Sequence, residues 1–198
     1  LSRAHKNFVE SLFRAEVPEI NEGIVEIMGI SRDPGGRTKI AVSSADSDID
    51  AVGACVGMRG SRVQNIIQEL KGEKIDIVPW SPDSARFSCN ALSPARVNKV
   101  ILDESSKIME VIVDEDQYSL CIGRRGQNVR LASELTQWEI TVKTDIQLKE
   151  EQQAVVKLLL TLPNISEVNA NLLFAGGYHT LEDIAFGESD SISKSSGI

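Results

Sequence analysis

Apolar and polar positions change period several times along this chain, and the changes come round twice. Within RAHKNFVESLFRAEV, Phe8, Leu12 and Phe13 fall at helical spacing, so the chain opens on a helix. GIVEIMGISRD and RTKIAVSS are β-branched runs on either side of Asp33-Pro34-Gly35-Gly36, a strong turn signal, and together predict a hairpin. A short segment then ends at CVGMRGSR. Beyond it Val63, Ile66, Ile67 and Leu70 share one helical face, with Arg62, Gln64, Gln68 and Lys71 mostly elsewhere, and EKIDIV follows as a short strand. The series restarts at SPDSARFSCNAL, a helix with Ser81 placed to cap it and Pro82 at its first position. VNKVILD and IMEVIVDED flank Glu104-Ser105-Ser106-Lys107 as a second hairpin. CIGRRGQN precedes a helix carrying Val129, Ala132 and Leu135, and EITVK closes the copy as a strand. Val78-Pro79-Trp80 joins the copies so tightly that one rigid body is expected.

The shared signature of the copies is a pair of residues bracketed by glycines. Cys55, Gly57 and Gly60 return as Cys121, Gly123 and Gly126 at one common interval, which slips by a single residue inside the following helix. Glycines on both sides let the backbone turn sharply and let another backbone come close. Gly60 and Gly126 stand at helix starts, where unpaired N–H groups and the positive dipole end favour a phosphate. Met58-Arg59 and Arg124-Arg125 then point outward. One isolated copy would read equally well as a tight turn between helices, and neither copy has the G-x-x-x-x-G-K-[ST] spacing of a nucleotide P-loop. Duplication in one helix and strand context favours nucleic-acid binding.

Charge qualifies that reading. The chain of 198 residues is 41% hydrophobic with a net charge of −8, an ordinary globular composition whose sign argues against phosphate binding. The excess is unevenly placed: from Glu150 onward seven acidic residues face two lysines, whereas RRGQNVR from Arg124 to Arg130 has three arginines and no acid. No apolar run approaches the roughly 18 residues of a membrane span, so no membrane partner is expected. Cys55, Cys89 and Cys121 are scattered singly, without disulfide or zinc spacing, and read as reduced, buried thiols of a cytoplasmic protein. His5 and His179 give no local signature for a Cys-His nucleophile, and no metal, cofactor or catalytic residue is expected. The start at Leu1 reads as a piece cut from a longer protein.

The helix, GxxG and helix flanked by strands resembles the KH domain, in which the loop clamps about four backbone nucleotides; the leading helix makes it similar to the type II form. EVPEINEGIVEI, GACVGMRGSRV, GEKIDIVPW, ALSPARV and GQNVRLASELTQWEI resemble more closely the tandem KH region of the bacterial NusA transcription factors, over about residues 1 to 145. The resemblance implies an α+β fold of two type II KH domains, residues 1–78 and 79–145, each a three-stranded sheet with helices on one face. It also implies binding of single-stranded nascent RNA beside RNA polymerase, with effects on pausing, termination and antitermination, and contacts with other elongation factors. The implied RNA-binding residues are Gly57, Met58, Arg59, Gly60, Ser61 and Arg62 in the first clamp. In the second they are Gly123, Arg124, Arg125, Gly126, Gln127, Asn128 and Arg130. Met58 departs from a polar residue, so the second clamp should dominate phosphate contact. A KH-fold scaffold for proteins, with little affinity for RNA, is the alternative. Aromatic residues are only 5%, which fits a clamp better than a stacking platform, and Trp80 and Trp138 read as packing residues.

The remainder, residues 146–187, reads as short helices broken at Pro163-Asn164 and Gly176-Gly177, with Thr180 and Asp183 placed for a cap. It looks like a helix-hairpin-helix module. Asn164-Ile165-Ser166 keeps the apolar centre of a DNA-binding hairpin but loses both glycines, and the surrounding acid argues against DNA. The resemblance implies docking on the polymerase α-subunit carboxyl-terminal domain or other regulators, or folding back on the RNA-binding surface, with a plain stabilising role as the alternative. Residues 188–198 are Ser-rich and apolar-poor and read as a disordered tail.

Overall fold

A computed structural model of the chain describes residues 2–163 and 165–186; the tail expected at 188–198 and Asn164 at the hairpin centre lie outside them. The chain divides into two compact units, residues 1–142 and 143–198.

In the first unit α1 (Lys6–Glu16) turns its apolar stripe inward through Val9 and Phe13. Pro18 then starts a separate short helix α2 (Pro18–Asn21), because proline cannot continue α1 but suits a first turn. β1 (Val25–Asp33) and β2 (Arg37–Ser44) pair antiparallel across the 33–36 turn, with a bulge at Met28. α3 (Ala51–Val56), the 3-10 turn Met58–Gly60 and α4 (Ser61–Glu69) lead to β3 (Lys74–Pro79), which lies parallel beside β2. The second copy repeats the order with α5 (Ser84–Ala91), β4 (Lys99–Asp103), β5 (Ile108–Val113), α6 (Glu115–Ile122), the turn Arg124–Gly126, α7 (Gln127–Thr136) and β6 (Glu139–Thr144). Each copy forms a three-stranded sheet, β1-β2-β3 and β4-β5-β6. The cap of α5 is Asp83, not Ser81: its carboxylate accepts from the Ala85 and Arg86 N–H groups, while the Ser81 hydroxyl accepts from the Asp83 N–H one turn earlier. An ionised acceptor two residues nearer the helix satisfies two of its orphan donors at once.

Each copy has its own core. Val9, Phe13, Ile20, Ile40, Val42, Cys55 and Ile66 fill the first; Phe87, Met109, Val111, Val113, Cys121 and Trp138 fill the second. The seam between them is also closed. Ala41 and Val78, on the outer face of the first sheet, pack into the second copy's core, and the Ser31 hydroxyl donates to the Leu131 carbonyl at 2.7 Å. Gly29 gives α7 its close approach, since a Cβ there would meet the Leu135 side chain at 3.3 Å. α7 therefore serves two sheets, which makes the tandem pair one body.

A buried ion pair fixes the hairpin tip nearest the seam. Arg32 and Glu73 meet at 2.8 Å with side chains only 6% and 1% exposed. Glu73 also accepts from Thr38 at 2.5 Å and from the Gly35 N–H at 2.9 Å, while Arg32 donates to the Arg3 and His5 carbonyls. Burial pushes the Glu73 carboxyl up, but Arg32, Thr38 and Gly35 together hold it below its usual value. Lys39, wholly buried, pairs with Asp76 at 2.9 Å; its burial lowers the ammonium pKa against that partner's pull.

The second unit is helical. The Thr144 side chain and Gln147 form a reciprocal capping box on α8 (Asp145–Leu159). α9 (Glu167–Ala175) packs Ala170 and Leu173 against Val156 and Leu159. Before α10 (Leu181–Phe186), Thr180 and Asp183 exchange hydrogen bonds at 2.7 and 3.1 Å, the cap read from the sequence.

Candidate nucleic-acid interface

The two glycine-bracketed loops have nearly one backbone. Gly57 and Gly123 sit at φ 74° and 76°, Arg59 and Arg125 at φ 53° and 56°, Gly60 and Gly126 at φ 80° and 70°. The two glycines of each loop do different work. A Cβ on Gly57 would lie 2.6 Å from the Arg62 Cγ, and one on Gly123 would lie 2.7 Å from the Asn128 Cβ, so the first glycine is demanded by the fold. A Cβ on Gly60 or Gly126 would meet nothing within 4 Å. The second glycine faces open space, where an incoming backbone can settle against it. Neither α4 nor α7 carries a side-chain cap, so first-turn N–H groups remain for a ligand.

The expected contact residues divide into two groups. Met58, 88% exposed, with Arg59, Arg124 and Arg125, projects outward, and none of the three arginines has a carboxylate partner among the described residues. Ser61 is exposed at the first turn of α4. Arg62 instead turns in to Glu19 and the Ala54 carbonyl, at 2.8 and 2.7 Å, and its stem packs under Gly57. Asn128 is 2% exposed and donates to the Leu92 and Cys121 carbonyls, both at 3.0 Å. These two residues brace the loops from beneath. Gln127 and Arg130 reach across the seam to Asp33 at 2.7 and 3.2 Å.

Sequence reasoning missed two cations that the fold brings to the second loop. A recess of about 760 Å³ is lined by Gly123, Arg124, Arg125 and Arg130 from the second copy and by Arg37 and Lys74 from the first. Arg37 and Lys74 open β2 and β3, and the hairpin turn that precedes Arg37 carries them there. The only sequence signal was their basic character.

Burial pushes the Cys55 thiol up to about 12 and the Cys121 thiol up to about 11, so neither is a thiolate nucleophile at neutral pH. No group of three or more metal-ligating side chains occurs among the described residues. No helix among them is long and apolar enough to cross a membrane.

Comparison with known proteins agrees with this geometry. The family model for the NusA-like first KH domain matches residues 3–80, and that for the NusA-like second KH domain matches residues 84–150. Over its whole length the chain is 44% identical to the transcription termination/antitermination protein NusA of Rickettsia prowazekii and 45% identical to that of Rickettsia conorii. It spans 41% of the length of each. The crystal structure of APE1850 shares the fold at a TM-score of 0.51 and 21% identity, covering 69% of this chain and 96% of that one. With duplicated loops of one geometry, both domain families matched in order and close relatives along every residue, the chain belongs to the NusA family and carries its tandem KH pair.

Proposed function

We propose that this chain is the RNA-contacting part of a NusA factor, holding single-stranded nascent RNA in its two GxxG loops while the whole protein modulates pausing, termination and antitermination by RNA polymerase. One observation carries the reading. Both second glycines, Gly60 and Gly126, face open space beside uncapped helix starts and arginines that have no carboxylate partner among the described residues. Packing alone gives no reason for that arrangement to occur twice.

Chemically, N–H groups and guanidinium ions hold phosphate oxygens while the bases lie along the neighbouring apolar surface. Neutralising roughly four to six phosphates makes affinity fall about a hundredfold between about 50 and 200 mM salt. Short single-stranded RNA titrated against the wild type and against Gly60→Asp with Gly126→Asp tests the clamp. The double variant should bind at least about tenfold more weakly, because each new carboxylate faces the phosphate track. Equal affinity for duplex DNA and single-stranded RNA would contradict it.

The helical unit supports a docking role on the polymerase α-subunit carboxyl-terminal domain. It exposes Val168 and Leu172 beside Glu167, and its apolar core among the described residues is the small cluster of Val156, Leu159, Ala170 and Leu173. Val168→Asp should abolish capture of that domain and leave RNA affinity unchanged.

A further inference from the structure

The recess beside the second loop holds more positive charge than a clamp requires. Arg37, Lys74, Arg124, Arg125 and Arg130 line it, and Asp33 is the one carboxylate among its lining residues. Cations gathered this closely repel one another unless an anion offsets them. Asp33 does so in part, accepting from Gln127 at 2.7 Å and from Arg130 at 3.2 Å. Arg37 is mostly buried, with one guanidinium nitrogen 3.5 Å from Asp76 and its Nε enclosed and without a partner. Lys74 is exposed, and its ammonium group has no partner among the described residues. Gly123 and Arg124 line both loop and recess, so a chain lying in the second loop enters the recess directly.

From this we infer that the recess is a third phosphate site, in which Arg37 and Lys74 of the first KH domain bind the RNA backbone next to the segment clamped by the second. Asp33 sits at its edge as the competing acceptor that a phosphate oxygen displaces from Arg130. This rests on the RNA-binding reading above. It adds two named cations of the first domain, Arg37 and Lys74, to the phosphate contacts of the second domain's loop.

The test compares four proteins on an eight-nucleotide single-stranded RNA over a salt series: wild type, Arg37→Gln with Lys74→Gln, Asp33→Asn, and Gly126→Asp. Asp76 keeps Lys39 as partner when Arg37 is replaced, and Lys74 is exposed, so the double variant should fold as the wild type does. It should bind about tenfold more weakly at low salt, and the slope of log affinity on log salt should fall by about 1.4, two single-strand phosphate contacts. Asp33→Asn keeps an acceptor for Gln127 and should bind a few times more tightly. Gly126→Asp should weaken binding whatever the recess does. If Gly126→Asp binds weakly while the Arg37/Lys74 variant matches the wild type in affinity and slope, the third site is overturned and the clamp stands. No wild-type binding at all overturns both.

Discussion

At the residue scale, the two glycines of each loop differ in what surrounds them. At Gly57 and Gly123 a methyl group has nowhere to go, whereas at Gly60 and Gly126 it meets only the strain of a left-handed backbone. Gly57→Ala should therefore cost about 2 kcal/mol or more, and Gly126→Ala nearer about 1 kcal/mol, as measured by urea unfolding. Glu73 makes the stability of the first domain depend on acid. Its carboxyl is held below its usual value in the folded chain, so its contribution is full above about pH 4.5 and is lost as pH falls through the lower folded value. Glu73→Gln leaves Arg32 buried without its counter-ion and should cost about 3 kcal/mol at pH 7, with a flatter acid limb. The outward residues of the loops were legible in the sequence, because glycine spacing and charge name them. The inward turn of Arg62 and the burial of Asn128 were not: which neighbour of a glycine supports it depends on carbonyls and carboxylates from distant segments, Glu19 and Leu92 among them.

At the element scale, hairpins and clamp helices were readable because turn residues and periodicity are local signals. Three features were not. The box formed by Thr144 and Gln147 starts α8 inside a polar stretch that shows no apolar face, and Asp83 outcompetes Ser81 by charge and by proximity. The third is α7, whose apolar count looks ordinary for a one-sided helix. It buries Leu131, Ala132 and Leu135, and it presents the Leu131 carbonyl to Ser31 of the other domain. Leu131→Ala should cost about 2–5 kcal/mol and lower the melting of both KH domains together, seen as a single shifted transition. A loss confined to the second domain would show that the seam does not couple them.

For the whole molecule, net charge is the least informative number. The acid gathers toward the carboxyl-terminal end, and the fold collects cations from Arg37 to Arg130 into one recess, so an acidic protein can present a locally basic track. On the proposed reading, two clamps on one unit make the second RNA contact intramolecular once the first has formed. Binding should therefore weaken by much more than the loss of one site when either loop is disabled. The measurement that bears most directly on the central claim is the affinity of the intact chain for single-stranded RNA, set against Gly60→Asp, Gly126→Asp and the pair at about 50 and 200 mM salt. The account predicts a graded loss, with Gly126→Asp the more damaging single change because its loop carries Arg124 and Arg125, and a smaller salt dependence in the pair. Unchanged RNA affinity in the pair, with the fold intact, would contradict it.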